Sequence, residues 1–167
     1  MEAEYRRYEG LGRAVIAQVP EERLAWRLTA ESNSLSTIVW HISGNLASRF
    51  TEFLTADGEK PWRERESEFQ EREPSRGALL DRWEAGWRIL HSALAELDDG
   101  DLDRTVSIRS QELTALEALL RSLAHTSYHV GQMAFVGKAI LGADWTYLSI
   151  PPGGSEAYNE NLTRKGG

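Results

Sequence analysis

Three histidines carry the chemistry that this sequence is equipped to perform. His125 and His129 stand in Ala124-His125-Thr126-Ser127-Tyr128-His129, and His41 stands in Trp40-His41-Ile42-Ser43-Gly44-Asn45. Helical positions i and i+4 share a face about one turn apart, so His125 and His129 would present their imidazoles together. One further nitrogen would complete a three-histidine set, which leaves a metal an open position for water or substrate. His41 is the candidate for that third ligand. The chain has four histidines, and the remaining one, His91, flanks an apolar seam and reads as a packing or surface residue. Neutral imidazoles suit zinc, nickel, copper or iron better than magnesium or calcium. A metal held this way lowers the pKa of bound water toward about 7, or deprotonates a bound thiol. No His-Glu-x-x-His sequence is present, so peptide hydrolysis by that route has no support.

A plainer reading stands beside this one, because buried histidines are often hydrogen-bonded core residues. Two features favour a metal. All three histidines fall at the margins of inward helix faces, and the helix around the pair turns polar, with Ser122, Thr126, Ser127 and Gln132 where aliphatic residues would serve packing better. Buried polar groups need partners, and a metal with supporting groups supplies them. Asn45 and Arg49 follow His41 on neighbouring turns and either line a pocket or pair with acids on adjacent helices.

Four amphipathic segments must position these residues. The first, about Tyr5 to Val19, carries Tyr8, Leu11, Val15 and Val19 at spacings of three and four. The second follows the cap-like Ser32-Asn33-Ser34 and presents Leu35, Ile38, Ile42, Leu46, Phe50 and Phe53, ending before Asp57-Gly58. The third opens after Pro74-Ser75 and carries Leu80, Trp83, Trp87, Leu90, Leu94 and Leu97 as a seam, stopped by Asp98-Asp99-Gly100. The fourth opens with a capping box at Thr114 and Glu117 and runs to Leu141, with Gly142 as its C-cap. It is expected to bury Leu116, Leu119, Leu120 and Leu123, then His125, His129, Val136 and Ile140, with Met133 on the flank. These elements predict an all-α fold, an up-and-down four-helix bundle with a long helix 2–3 loop. Trp145, Tyr147, Leu148 and Ile150 suggest a C-terminal tail packed back on the bundle, with the last residues loose. Thr105 to Arg109 alternates like a short strand. The dense charge run within 54–74 reads as a solvated loop or short surface helix, or as a lid in which Trp62 and Phe69 fold over a pocket.

The 167 residues predict one domain, 1–167, with an ordered core of about 5–160. A hydrophobic content of 41% is ordinary for a globular chain, and a net charge of −7 argues against a nucleic-acid partner. No apolar run is long enough to span a bilayer, and the N-terminus lacks a signal-peptide pattern, so a cytoplasmic location and no membrane partner are expected. The absence of cysteine excludes disulfides, thiolate metal sites and cysteine nucleophiles. Thiol chemistry would have to borrow its thiol.

Taken together, residues 40–50, 57–62 and 124–133 resemble the DinB/YfiT-like metalloenzyme superfamily, in a branch of unassigned function. The likeness covers about residues 5–160. It implies a four-helix bundle holding a divalent metal, often nickel or zinc, by one histidine of the second helix and two of the last, here His41, His125 and His129. It implies also that the chain is a homodimer. The superfamily includes transferases and isomerases that use low-molecular-weight thiols, and members without demonstrated activity. The expected function is a metal-dependent enzyme that turns an external thiol or metal-bound water on a small-molecule substrate. The alternative is a non-catalytic metal-binding or structural bundle acting as a homodimer, through helix one or the Trp145–Ile150 segment.

Overall fold

The computed structural model describes residues 1–70 and 72–165. Four long helices dominate: α1 (Glu2–Gln18), α2 (Leu35–Phe50), α3 (Arg76–Glu96) and α4 (Ala115–Leu141). The starts of α2, α3 and α4 are fixed by side chains that satisfy otherwise unpaired amides. Ser34 Oγ accepts from Thr37 N at 3.1 Å and Ser75 Oγ from Ala78 N at 3.2 Å. Thr114 and Glu117 form the expected reciprocal box, and Gly142 ends α4 with φ +55°. A hairpin of β1 (Thr105–Ile108) and β2 (Gln111–Thr114) precedes α4. The strand expected from Thr105 onward is therefore present, with a partner that the sequence pattern did not reveal. A last helix, α5 (Ser155–Lys165), begins inside the expected ordered core and runs on beyond residue 160, toward the end expected to be loose.

The core between the long helices is built on Trp83, Trp87, Tyr5, Leu35, Leu46, Leu79 and Leu90, all fully buried. Trp83 lies flat against Gly12, where a side-chain carbon would collide with its ring. Its indole N–H donates to Glu9 O at 3.2 Å. Tyr5 donates to Leu119 O at 2.8 Å, and its ring meets those of Phe50 and Trp87.

Contacts along the helices give their directions. α1 and α4 run parallel, joined by Tyr5 to Leu119 at one end and Gln18 to Thr146 at the other. α1 and α3 run antiparallel, since Arg76 reaches Val19 O while His91 reaches Glu9. α2 and α3 advance together, with Arg82 over Trp40 and Gly86 against Ser43. α2 opposes α4, because His41 faces His125 while Phe50, through Tyr5, neighbours Leu119. The direction pattern is thus not the expected up-and-down alternation. The reason is the 51–75 connection, which returns the chain along the whole of α2, about 24 Å at 1.5 Å per residue, so that α3 starts where α2 started.

Periodicity also misplaced several side chains. Leu120 is 50% exposed, and Met133 is fully buried instead of lying on a flank. In the tail, Trp145 is buried and Leu148 packs on the core, while Tyr147 and Ile150 stay exposed. Trp145 seats against Gly137, where a Cβ would approach its ring to 2.8 Å. No described helix is long and apolar enough to cross a membrane.

Candidate metal centre

His41 leaves α2 toward α4, and His125 and His129 leave one face of α4 toward it. The ligand nitrogens available from the three all lie within 4.8 Å of one another. His41 Nε2 and His125 Nε2 are 3.2 Å apart. Two nitrogens bound tetrahedrally at 2.0–2.1 Å stand about 3.3 Å apart, so this pair already has the spacing of one tetrahedral edge.

The outer nitrogens determine which inner atoms carry lone pairs. His41 Nδ1 lies 2.9 Å from Glu68 Oε2, and His129 Nδ1 lies 2.8 Å from Gln132 Oε1. An ionised carboxylate and an amide oxygen only accept hydrogen bonds, so both Nδ1 atoms donate. In the neutral rings, both Nε2 atoms then present lone pairs to the centre. Partners of this kind are what orient metal-binding imidazoles. His125 Nδ1 is buried without a hydrogen-bond partner among the described residues.

Electrostatics favour the neutral form of the two α4 histidines. Burial, with smaller contributions from His129, His41, Arg63 and Arg49, pushes His125 down to about 3. Burial also lowers His129, partly opposed by its bond to Gln132. Burial alone would raise Glu68, but hydrogen bonds from His41 and Arg63 and the Arg63 charge hold it below the ordinary carboxylate range. Arg63 grips Glu68 with two parallel bonds, Nε to Oε1 at 2.8 Å and Nη2 to Oε2 at 3.0 Å. Both side chains are almost wholly buried.

Glu68 and Arg63 come from the long 51–75 connection, and the sequence reading did not single out either. Glu68 sits in a short 3-10 turn, Arg65–Phe69. Its carboxylate occupies the space over Gly44, where a Cβ would come within 2.8 Å of Cδ. The end of the segment is held by Arg72, whose guanidinium lies 4.1 Å from the centre of the Trp40 ring, which Arg82 of α3 also approaches, at 4.2 Å. Of the two residues expected in a lid, Phe69 lines the cavity before the histidines, its ring 5.0 Å from that of His41, whereas Trp62 is 55% exposed and lies outside that lining. His91 stays outside the centre, bound to Glu9 and stacked on Trp87. Asn45 and Arg49 line the cavity, and the acid that Arg49 pairs with, Glu59, lies in the 51–75 connection and not on an adjacent helix.

The cavity in front of the histidines encloses about 380 Å³, within the range of small-molecule sites. The arrangement therefore provides three converging nitrogens, a supporting carboxylate and an adjoining cavity. Over residues 1–154 the chain matches the family described as "Protein of unknown function (DUF1572)", and it belongs to that family. No curated protein matches it.

Proposed function

We propose that this chain is an enzyme of the DinB/YfiT-like kind, whose four long helices form that superfamily's bundle around one divalent ion, nickel or zinc, held by His41, His125 and His129. The single observation that carries this reading is the convergence of three imidazoles, two of them with outer nitrogens already bonded to acceptors. When bound, the ion supplies a Lewis acid that makes water or a thiol nucleophilic near neutral pH. The protein's own groups do the remaining work. Glu68, fixed by Arg63, orients His41 and balances charge; Gln132 orients His129; Phe69 shields the His41 side of the centre from solvent. The cavity seats a small substrate and, since the chain has no cysteine, any low-molecular-weight thiol must enter there from outside.

A second reading, a non-catalytic homodimer, is favoured by one feature. Leu120, Tyr128 and Phe135 form an exposed apolar row on α4, at 50%, 63% and 63% exposure. That row, rather than helix one or the tail, is the face such a dimer would use.

Elemental analysis of untagged protein, beside the His41→Ala and His125→Ala variants, tests the proposal. About one transition ion per chain, lost in both variants with helical circular dichroism retained, is the expected result. No ion in the parent protein after reconstitution, or unchanged content in the variants, overturns it.

A further inference from the structure

The chain carries 26 acidic and 19 basic residues, yet the cavity before the histidines reverses that balance. Arg49, Arg63, Arg65, Arg109 and Arg121 line it, and among the described residues no carboxylate does. The acids that answer these arginines stand outside the lining: Glu68 behind His41, Glu59 between Arg49 and Arg109, and Glu66 beside Arg65. Arg121, one turn before His125 on α4, has no hydrogen-bond or ion-pair partner among the described residues. The Asn45 side chain, about nine-tenths buried and also on the lining, has no hydrogen-bond partner either.

The hairpin supplies an independent observation. Its two-residue turn is Arg109-Ser110, both with positive φ, +54° and +59°. Such a turn ordinarily takes Asn-Gly or Gly-Gly, and side chains larger than these store strain there. Here Asp57 holds the turn open. One carboxylate oxygen accepts from Arg109 N and the other from Ser110 N, each at 2.8 Å. Asp57 is itself anchored beside Gly58, whose carbonyl accepts from Ser48 and Arg49 of α2. The result is a strained turn, pinned from two sides, that delivers a guanidinium to the cavity mouth. Backbone strain of this kind collects at ligand-binding positions.

We propose that the cavity binds a small organic oxyanion, a carboxylate or a phosphate ester, with its charged group among Arg49, Arg109 and Arg121 and its other end toward the three histidines. Guanidiniums bind such groups through charge-assisted, often paired hydrogen bonds, and the buried Asn45 amide offers a further donor. The inference names the substrate class of the proposed enzyme and rests on that reading for its catalytic meaning, but the binding itself requires no metal.

The test uses succinate, inorganic phosphate and neutral succinamide, titrated calorimetrically into EDTA-treated and zinc-loaded protein. The variants are His125→Ala, Arg121→Gln, and Arg109→Gln combined with Arg121→Gln. Succinate or phosphate should bind the metal-free protein and His125→Ala alike, succinamide should not, and the double arginine variant should weaken binding about tenfold or more. Preference for succinate identifies a carboxylate, and preference for phosphate a phosphate ester. Arg121 is exposed, so its single variant gives the same reading should the double variant fold poorly. Binding confined to zinc-loaded protein and indifferent to the arginines overturns the subsite while leaving the metal proposal standing. So does no binding of either anion. Anion binding in a chain that takes up no metal sustains the subsite while the metal proposal falls.

Discussion

Glu68→Gln separates the two jobs that one carboxylate performs. In the native protein Glu68 takes two bonds from Arg63, at 2.8 and 3.0 Å, and faces His41 Nδ1 at 2.9 Å, all with little solvent contact. Glutamine keeps the shape but offers one oxygen, and it leaves the Arg63 guanidinium without its counter-charge. Removing one member of a buried pair costs about 3–5 kcal/mol, and the retained oxygen reduces this to about 2–3 kcal/mol. Guanidinium unfolding of metal-free protein should show that loss. Metal affinity should fall separately, because His41 no longer has a carboxylate enforcing its Nδ1–H form. Loss of such a supporting group weakens binding about 10- to 100-fold, or about 1.4–2.7 kcal/mol, readable by competition with a chromophoric chelator. Adding Arg63→Gln to the variant should restore part of the stability, since no charge is then stranded, and none of the metal affinity. Metal binding within about twofold of the parent, alongside the predicted stability loss, would refute the role given to Glu68 in orienting His41.

Two more perturbations probe the supports of the site. Gly44→Ala should gain about 1 kcal/mol of helix propensity yet lower metal affinity in the same chelator assay, because the new methyl group takes the place of the Glu68 carboxylate; unchanged affinity would mean that Glu68 shifts freely, against its three bonds. Asp57→Asn should destabilise the protein by about 1–2 kcal/mol at neutral pH, a figure that allows for partial exposure. Hydrogen bonds from Glu59 N, Ser110 N and the Ser107 hydroxyl hold the Asp57 carboxyl far below its usual range. A depressed carboxyl contributes its stability above the unfolded value of about 3.9 and loses it as pH falls toward the folded value. The gap between parent and variant in urea midpoints should therefore close as pH drops below about 4, and a gap independent of pH would show that the charge is irrelevant.

The sequence exposed the three clustered histidines because their pattern is local: two histidines four apart on a helix, and a third on another amphipathic helix. It exposed Ser75, Thr114 and Glu117 as caps for the same reason, since a cap acts within one turn. It hid Glu68 and Arg63, which lie in the run Arg63-Glu64-Arg65-Glu66-Ser67-Glu68. In that run, a buried ion pair and solvated charges have the same pattern. Burial there depends on where the 51–75 connection crosses, and so on α3 running parallel to α2, which no local period encodes. Leu120 misled for a related reason, since an apolar position on a helix does not say whether a neighbour covers it.

One local sign of the hidden carboxylate did exist. Gly44 interrupts α2 three residues after His41, at a position buried in the folded chain, where glycine costs about 1 kcal/mol against alanine. A glycine kept in a buried helix face usually makes room for something that approaches closely. Here that is Glu68, so the glycine near His41 and the acid 24 residues later form one device. Asp57 and the Arg109-Ser110 turn repeat the pattern on the other side of the cavity, with a loop carboxylate stabilising an unfavourable backbone so that a charged side chain reaches the site. In both cases the long connection that breaks the simple helix alternation carries the group that offsets the local cost. The fold's departure from alternation is thereby tied to the site, because a short α2–α3 turn would bring neither Glu68 to His41 nor Asp57 to Arg109.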